Sequence, residues 1–131
     1  MMKKAIILVS HGNLAAEMKS SAEMIVGKQD NLYALPMNEK EDLESYTRQI
    51  VECINHTLET YTEIIFLADI LGGTPCNSVT SQLIKHQNIH LIAGFNLSLV
   101  IEMCMQNENI PAVISNAQQY ITYVNDRINI N

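Results

Sequence analysis

The chain is predicted to fold as an open, doubly wound, mainly parallel α/β sheet, with helices on both faces and a C-terminal edge strand. Three observations predict it. Strand signals recur at residues 4 to 9, 31 to 35, 64 to 68 and 89 to 93, and the segments between them show helical apolar spacing. Ile6-Ile7-Leu8-Val9 and Ile64-Ile65-Phe66-Leu67 are apolar at consecutive positions, as strands buried on both faces should be. Right-handed crossovers then restrict the order, and the common small open-sheet solution is 2-1-3-4, with strands 1 and 3 side by side and the winding reversing between them.

Each helix has its own signature. Leu14, Met18, Ala22 and Ile25 share one face of the first. Leu43, Tyr46, Ile50, Ile54 and Leu58 form the stripe of the second, and Asn38 with Glu41 three residues on marks its start as a capping-box-like pair. Thr74-Pro75 opens the third, a hydroxyl for the N-cap and then a ring whose missing N–H costs nothing at the first helical position, with Val79 and Leu83 on its inner face. A fourth runs from Leu97 to Met105, and a shorter one starts near Pro111. Tyr120 to Asn125 alternates and is rich in aromatic and β-branched residues, so it reads as a final strand covering an edge, its own or that of a second subunit.

Length and composition narrow the class. With 131 residues, 47% of them hydrophobic, the chain is expected to be one domain over 1–131, burying roughly two-thirds of its unfolded surface. The apolar start from Ala5 to Val9 is too short for a signal-peptide core or a membrane span, so the chain reads as soluble and cytoplasmic. A net charge of -6 with 8 Lys+Arg argues against a nucleic-acid binder, whose affinity comes from clustered cations. Cys53, Cys76 and Cys104 form neither a disulfide framework nor a zinc pattern and read as small apolar residues of a reduced protein.

The chemistry gathers where strands 1 and 3 end. His11 and Asp69 stand at their carboxyl ends, so neighbouring parallel strands bring them together. A carboxylate can hold one imidazole nitrogen protonated and leave the other free as a nucleophile. Gly12 and Gly72-Gly73 leave the crevice open, and the glycine amides with the positive end of the third helix offer a seat for an anion, to which Thr74 can also donate. A nucleophilic nitrogen, an orienting carboxylate and an anion seat are what phosphoryl transfer through a phosphohistidine uses. Neither Gly-x-x-x-x-Gly-Lys-Ser/Thr nor Gly-x-Gly-x-x-Gly is present, so direct use of ATP or a dinucleotide is not expected. No metal or other cofactor is called for.

Ile7-Leu8-Val9-Ser10-His11-Gly12, Asp69-Ile70-Leu71-Gly72-Gly73-Thr74-Pro75-Cys76-Asn77 and Ala93-Gly94-Phe95-Asn96-Leu97 together resemble the IIA component of the mannose/fructose/sorbose family of the bacterial phosphoenolpyruvate-dependent sugar phosphotransferase system. The resemblance implies that His11 accepts a phosphoryl group on Nε2, as a tele-phosphohistidine, from the phosphocarrier protein HPr, with Asp69 bonded to Nδ1. It implies onward transfer to a IIB component, here on a separate chain, and indirectly to a membrane IIC/IID pair. A homodimer with an exchanged C-terminal strand is also implied. Cys76 stands where the family often has Phe, with looser packing behind the site as the expectation, and Ser98 where Pro is common.

Other readings compete. A regulatory module of the same fold would signal through partner binding, and an aspartate-phosphorylated receiver-like domain would use Asp69, although no acidic pair follows strand 1 to bind magnesium. His56, His86 and His90 lack metal-ligand spacing or an evident carboxylate partner and read as surface or structural residues.

Overall fold

The computed structural model describes residues 3–105 and 109–128. Four parallel strands, β1 (Lys4–His11), β2 (Leu32–Met37), β3 (Glu63–Ala68) and β4 (Ile89–Ala93), lie in the order β2-β1-β3-β4. The helices are α1 (Leu14–Val26), α2 (Leu43–Thr57), α3 (Thr74–Leu83), α4 (Leu97–Met105), α5 (Ile110–Gln118) and the single turn α6 (Val124–Arg127). Because successive side chains of a strand point to opposite faces, the continuous apolar run of β1 feeds two cores. Ile6 and Leu8 join Ala15, Ala22, Leu99, Val100 and Val113 on the face covered by α1, α4 and α5. Ile7 and Val9 join Tyr46, Ile50, Ile54, Cys76 and Val79 under α2 and α3. Alanine, isoleucine, leucine, valine and serine from Ala5 to Ser10 are fully buried, so the strand that carries His11 is clamped on both sides.

Helix starts depart from expectation in informative ways. Asp42, not Asn38, caps α2: its carboxylate accepts from the Ser45 N–H at 2.8 Å, and the Ser45 hydroxyl accepts from the Asp42 N–H at 3.0 Å. Asn38 and Glu41 build the turn before it, the Glu41 carboxylate accepting from the Asn38 N–H at 3.0 Å. Both pairs have capping spacing, and the one next to the apolar stripe wins because Tyr46, Ile50 and Ile54 set where the helix meets the sheet. Leu43, in the first turn, stays exposed. On α1 the inner face is Ala15, Met18 and Ala22, while Leu14 and Ile25 in the end turns are exposed, since the two alanines let the middle of the helix lie close to the sheet.

The Ser45 N–H, then its hydroxyl, holds the Asp42 carboxyl below the usual aspartate range. A pKa lowered by folding contributes stability that is complete above the unfolded value and vanishes as pH falls through the folded one. The melting-temperature gap between wild type and Asp42→Ala should therefore be full at neutral pH and shrink below about pH 4, near the unfolded aspartate value. A gap constant from pH 7 to pH 2 would show that the charge plays no part.

The expected final strand is absent from the sheet. Tyr120 and Ile121 close on Ala117 and Gln118 through N–H donors at 3.1 and 3.4 Å, and the Asp126 N–H donates to the Tyr123 carbonyl at 3.1 Å in α6. Strand propensity reflects packing against neighbouring strands. Among the described residues no strand pairs with this segment, so local turns take its hydrogen bonds, and Tyr120, Ile121, Tyr123 and Val124 are exposed.

Candidate functional site

Both flanks of His11 are fixed by the strand end that carries it. The Gly12 N–H donates to the Met37 carbonyl at 2.8 Å, continuing the β1–β2 ladder one residue past the strand. On the other side, the buried Ser10 hydroxyl accepts from the Ala15 N–H at 2.7 Å and lies 3.3 Å from the Gly12 carbonyl, tying the loop to the first turn of α1. Ser10 is a structural member of the site that the sequence reading passed over. A buried serine directly before the histidine was its available signal.

Strand 3 delivers the carboxylate. Val9 pairs with Ala68, and the Asp69 N–H donates to the Val9 carbonyl at 3.1 Å, so Asp69 emerges beside His11. One Asp69 oxygen, Oδ2, accepts the His11 backbone N–H at 2.9 Å and lies 2.8 Å from His11 Nδ1. The other, Oδ1, accepts the Ile70 N–H at 2.9 Å. An ionised carboxylate only accepts, so Nδ1 carries the proton and Nε2 of the neutral ring keeps its lone pair. The His11 side chain is 48% exposed and that of Asp69 10%, so the ring is within reach of a second molecule while the group that orients it is sheltered. With both oxygens engaged, Asp69 is not a free nucleophile, which disfavours the receiver-like reading.

The glycine turn meets the other edge of the ring. A Cβ on Gly73 would lie 2.6 Å from His11 Cε1 and 3.3 Å from Nε2, so only a residue without a side chain lets this backbone approach so closely. Gly72 supplies the positive φ of +86° that the turn requires. Gly73, not Thr74, is the N-cap of α3, because the first α-helical hydrogen bond runs from the Asn77 N–H to the Gly73 carbonyl at 2.9 Å. Thr74 is the first helical residue, and its hydroxyl makes no capping bond. The Gly72 and Gly73 N–H groups donate to no other described residue.

The remaining predicted features sort themselves by place. Gly94-Phe95-Asn96 is structural: the Gly94 and Phe95 N–H groups donate to the Ala68 carbonyl at 2.9 and 3.0 Å, and Asn96 Oδ1 accepts from the Leu99 N–H at 2.8 Å, starting α4. Cys76 is buried in the core under α2 and α3. Burial pushes the Cys53 and Cys104 thiols up, in keeping with unreactive residues. His56 and His90 do have carboxylate partners, Glu59 at 3.1 Å and Glu63 at 3.2 Å. Spacing concealed the second because Glu63 and His90 meet only through the β3–β4 register, at the amino ends of those strands and away from His11.

A half-exposed imidazole, oriented through Nδ1 by a strand-end carboxylate and met at its other edge by a glycine turn, places the protein among open-sheet α/β proteins with a histidine site at the switch point. The family model EIIA-man, described as PTS system fructose IIA component, matches residues 5–118. A fructose-specific EIIA component of the phosphotransferase system from Bacillus subtilis is 30% identical over 106 residues, which are 81% of this chain and 72% of that protein. The mannose-specific EIIAB component of Escherichia coli is 28% identical over 112 residues, and the match takes in 82% of this chain and only 33% of that longer protein. The crystal structure of the PTS IIA protein associated with the fucose utilization operon from Streptococcus pneumoniae superposes with a TM-score of 0.89 at 26% identity, over 97% of both chains. The chain belongs to the EIIA-man family, the mannose/fructose/sorbose-type IIA components of the sugar phosphotransferase system. No helix among the described residues is long and apolar enough to cross a membrane.

Proposed function

We infer that this chain is a cytoplasmic phosphocarrier that takes a phosphoryl group from phospho-HPr onto Nε2 of His11 and passes it to a IIB component, which serves a membrane IIC/IID pair. The observation that carries the reading is the His11 ring itself, bonded to Asp69 through Nδ1 and open to solvent, with Nε2 toward Gly73. In the first transfer the Nε2 lone pair attacks phosphorus in line, and the P–N bond to the donor's imidazole breaks with its electron pair leaving on that ring. The proton on Nδ1 stays where it is. The positive charge that develops on the His11 ring is met by Asp69, and the phosphoryl oxygens are received by the N–H groups of Gly72 and Gly73 and the Thr74 hydroxyl at the positive end of α3. The reverse sequence delivers the group to the acceptor. The outward apolar side chains of Tyr120, Ile121, Tyr123 and Val124 support a homodimer, in which a second copy covers them.

Asp69→Asn tests the orienting role. A single amide oxygen cannot serve both the His11 side, at Oδ2, and the Ile70 N–H, at Oδ1, and the charge is gone. A charge-assisted hydrogen bond contributes about 1.5–3 kcal/mol, so acceptance should slow on the order of ten- to a hundredfold while the labelled residue stays the same. Unchanged transfer rates would remove Asp69 from the mechanism. The reading as a whole is tested by intact-mass analysis after incubation with phosphoenolpyruvate, enzyme I and HPr. One acid-labile phosphoryl group per chain is expected, and folded protein that takes none would overturn it.

A further inference from the structure

Asn77 stands in the first turns of α3 with its side chain directed back at the glycine turn. Its Nδ2 donates to the Gly72 carbonyl at 3.1 Å, and its backbone N–H donates to the Gly73 carbonyl at 2.9 Å. Both peptide units that flank Gly73 are therefore anchored to one residue. Asn77 is exposed and adds nothing to the core, and asparagine is a mediocre helix former. Its contribution lies in these two bonds.

We propose that Asn77 is a positioning residue of the phosphoryl site, aiming the Gly73 N–H by holding the Gly72 carbonyl. The proposal rests on the phosphocarrier reading above. A trans peptide is planar, so its C=O and N–H point in opposite directions, and fixing the Gly72 oxygen fixes the direction of the Gly73 N–H. That N–H needs an external guide, because it donates to no other described residue and the glycine pair has little rotational preference of its own. The same peptide sits on the imidazole: a Cβ on Gly73 would touch both Cε1 and Nε2 of His11. Releasing the Gly72 carbonyl frees the peptide to turn, which moves an oxyanion donor and the wall of the nucleophile together.

The test compares Asn77→Ala, Asn77→Gln and Ser81→Ala with wild type. Ser81 lines the cleft between α2 and α3 beside Asn77, but its hydroxyl bonds Ser78 and Gln82. Two readouts are taken: kcat and KM for acceptance from phospho-HPr, and the His11 Cε1–H resonance of the free protein. Loss of one net hydrogen bond predicts that Asn77→Ala lowers kcat about two- to tenfold with KM little changed. The Cε1–H resonance should shift in Asn77→Ala, part of the rate should return in Asn77→Gln, whose longer side chain keeps the donor, and Ser81→Ala should change neither readout. Wild-type kcat with an unmoved resonance in Asn77→Ala overturns the proposal, as does an equal loss in Ser81→Ala. Wild type that accepts no phosphoryl group overturns the phosphocarrier reading instead, and the His11 resonance then decides whether Asn77 holds the turn.

Discussion

His11→Ala is expected to take up no phosphoryl group from phospho-HPr, while melting within a few degrees of wild type. The loss should be complete because the bond to phosphorus forms at Nε2, and no other imidazole lies in the crevice. His56 and His90 are paired with Glu59 and Glu63 away from it. The fold should survive because the side chain is half exposed and its one hydrogen bond among the described residues is to Asp69, which keeps the backbone N–H of residue 11 and that of Ile70 as donors. Removing one partner from a carboxylate that keeps two costs about 1 kcal/mol. Intact mass with and without donor, beside a thermal melt, reads both quantities. Retention of the label by the variant would move the acceptor to another residue and end the present assignment.

Gly73→Ala should be nearly as damaging, although it adds a single methyl group. Gly73 has φ −79° and ψ 167°, angles that alanine adopts without strain, so the backbone does not resist the change. The obstacle is the ring: the new Cβ would stand 2.6 Å from His11 Cε1 and 3.0 Å from Ile70 Cγ2. Either the imidazole swings toward solvent and breaks from Asp69, or the start of α3 shifts. Misplacement of a reacting group by about 1 Å costs on the order of a hundredfold in rate, and that is the expected loss of acceptance. Because an exposed ring can move aside, the melting temperature should change little. Gly72→Ala should behave in the opposite sense. Its Cβ meets nothing within 4 Å, but φ +86° is costly for alanine, so stability should fall by about 1–2 kcal/mol. Equal rates for wild type and Gly73→Ala would show that the ring and the turn do not meet during transfer.

The two variants separate functions that look alike in a sequence. Gly72-Gly73 reads as a flexible pair, yet one glycine answers a torsional demand and the other a steric one. Only the position of the His11 ring, which arrives from β1 some sixty residues earlier in the chain, tells them apart. Asn77 is a similar case. Nothing in its spacing says that its amide turns back to Gly72, because that depends on where the N-cap of α3 falls.

What the sequence determined alone was whatever depends on short-range pattern joined to a strong topological rule. Apolar runs at Ile6–Val9 and Ile64–Leu67 called for strands buried on both faces, the alternation with helical spacing called for parallel pairing, and right-handed crossovers then put β1 beside β3 with His11 and Asp69 at their ends. Tertiary structure decided what depends on competition between local options. Asp42-Ser45 prevailed over Asn38-Glu41 as the cap of α2 because packing of Tyr46, Ile50 and Ile54 sets the start of the helix. Tyr120 to Asn125, with strong strand propensity, formed turns and the start of a short helix because among the described residues its backbone bonds locally and pairs with no strand. The angstrom-scale contacts of the site, Nδ1 on Oδ2 and Gly73 against Cε1, were likewise set by the register of β1 on β3, since they join residues that share no local stretch of chain.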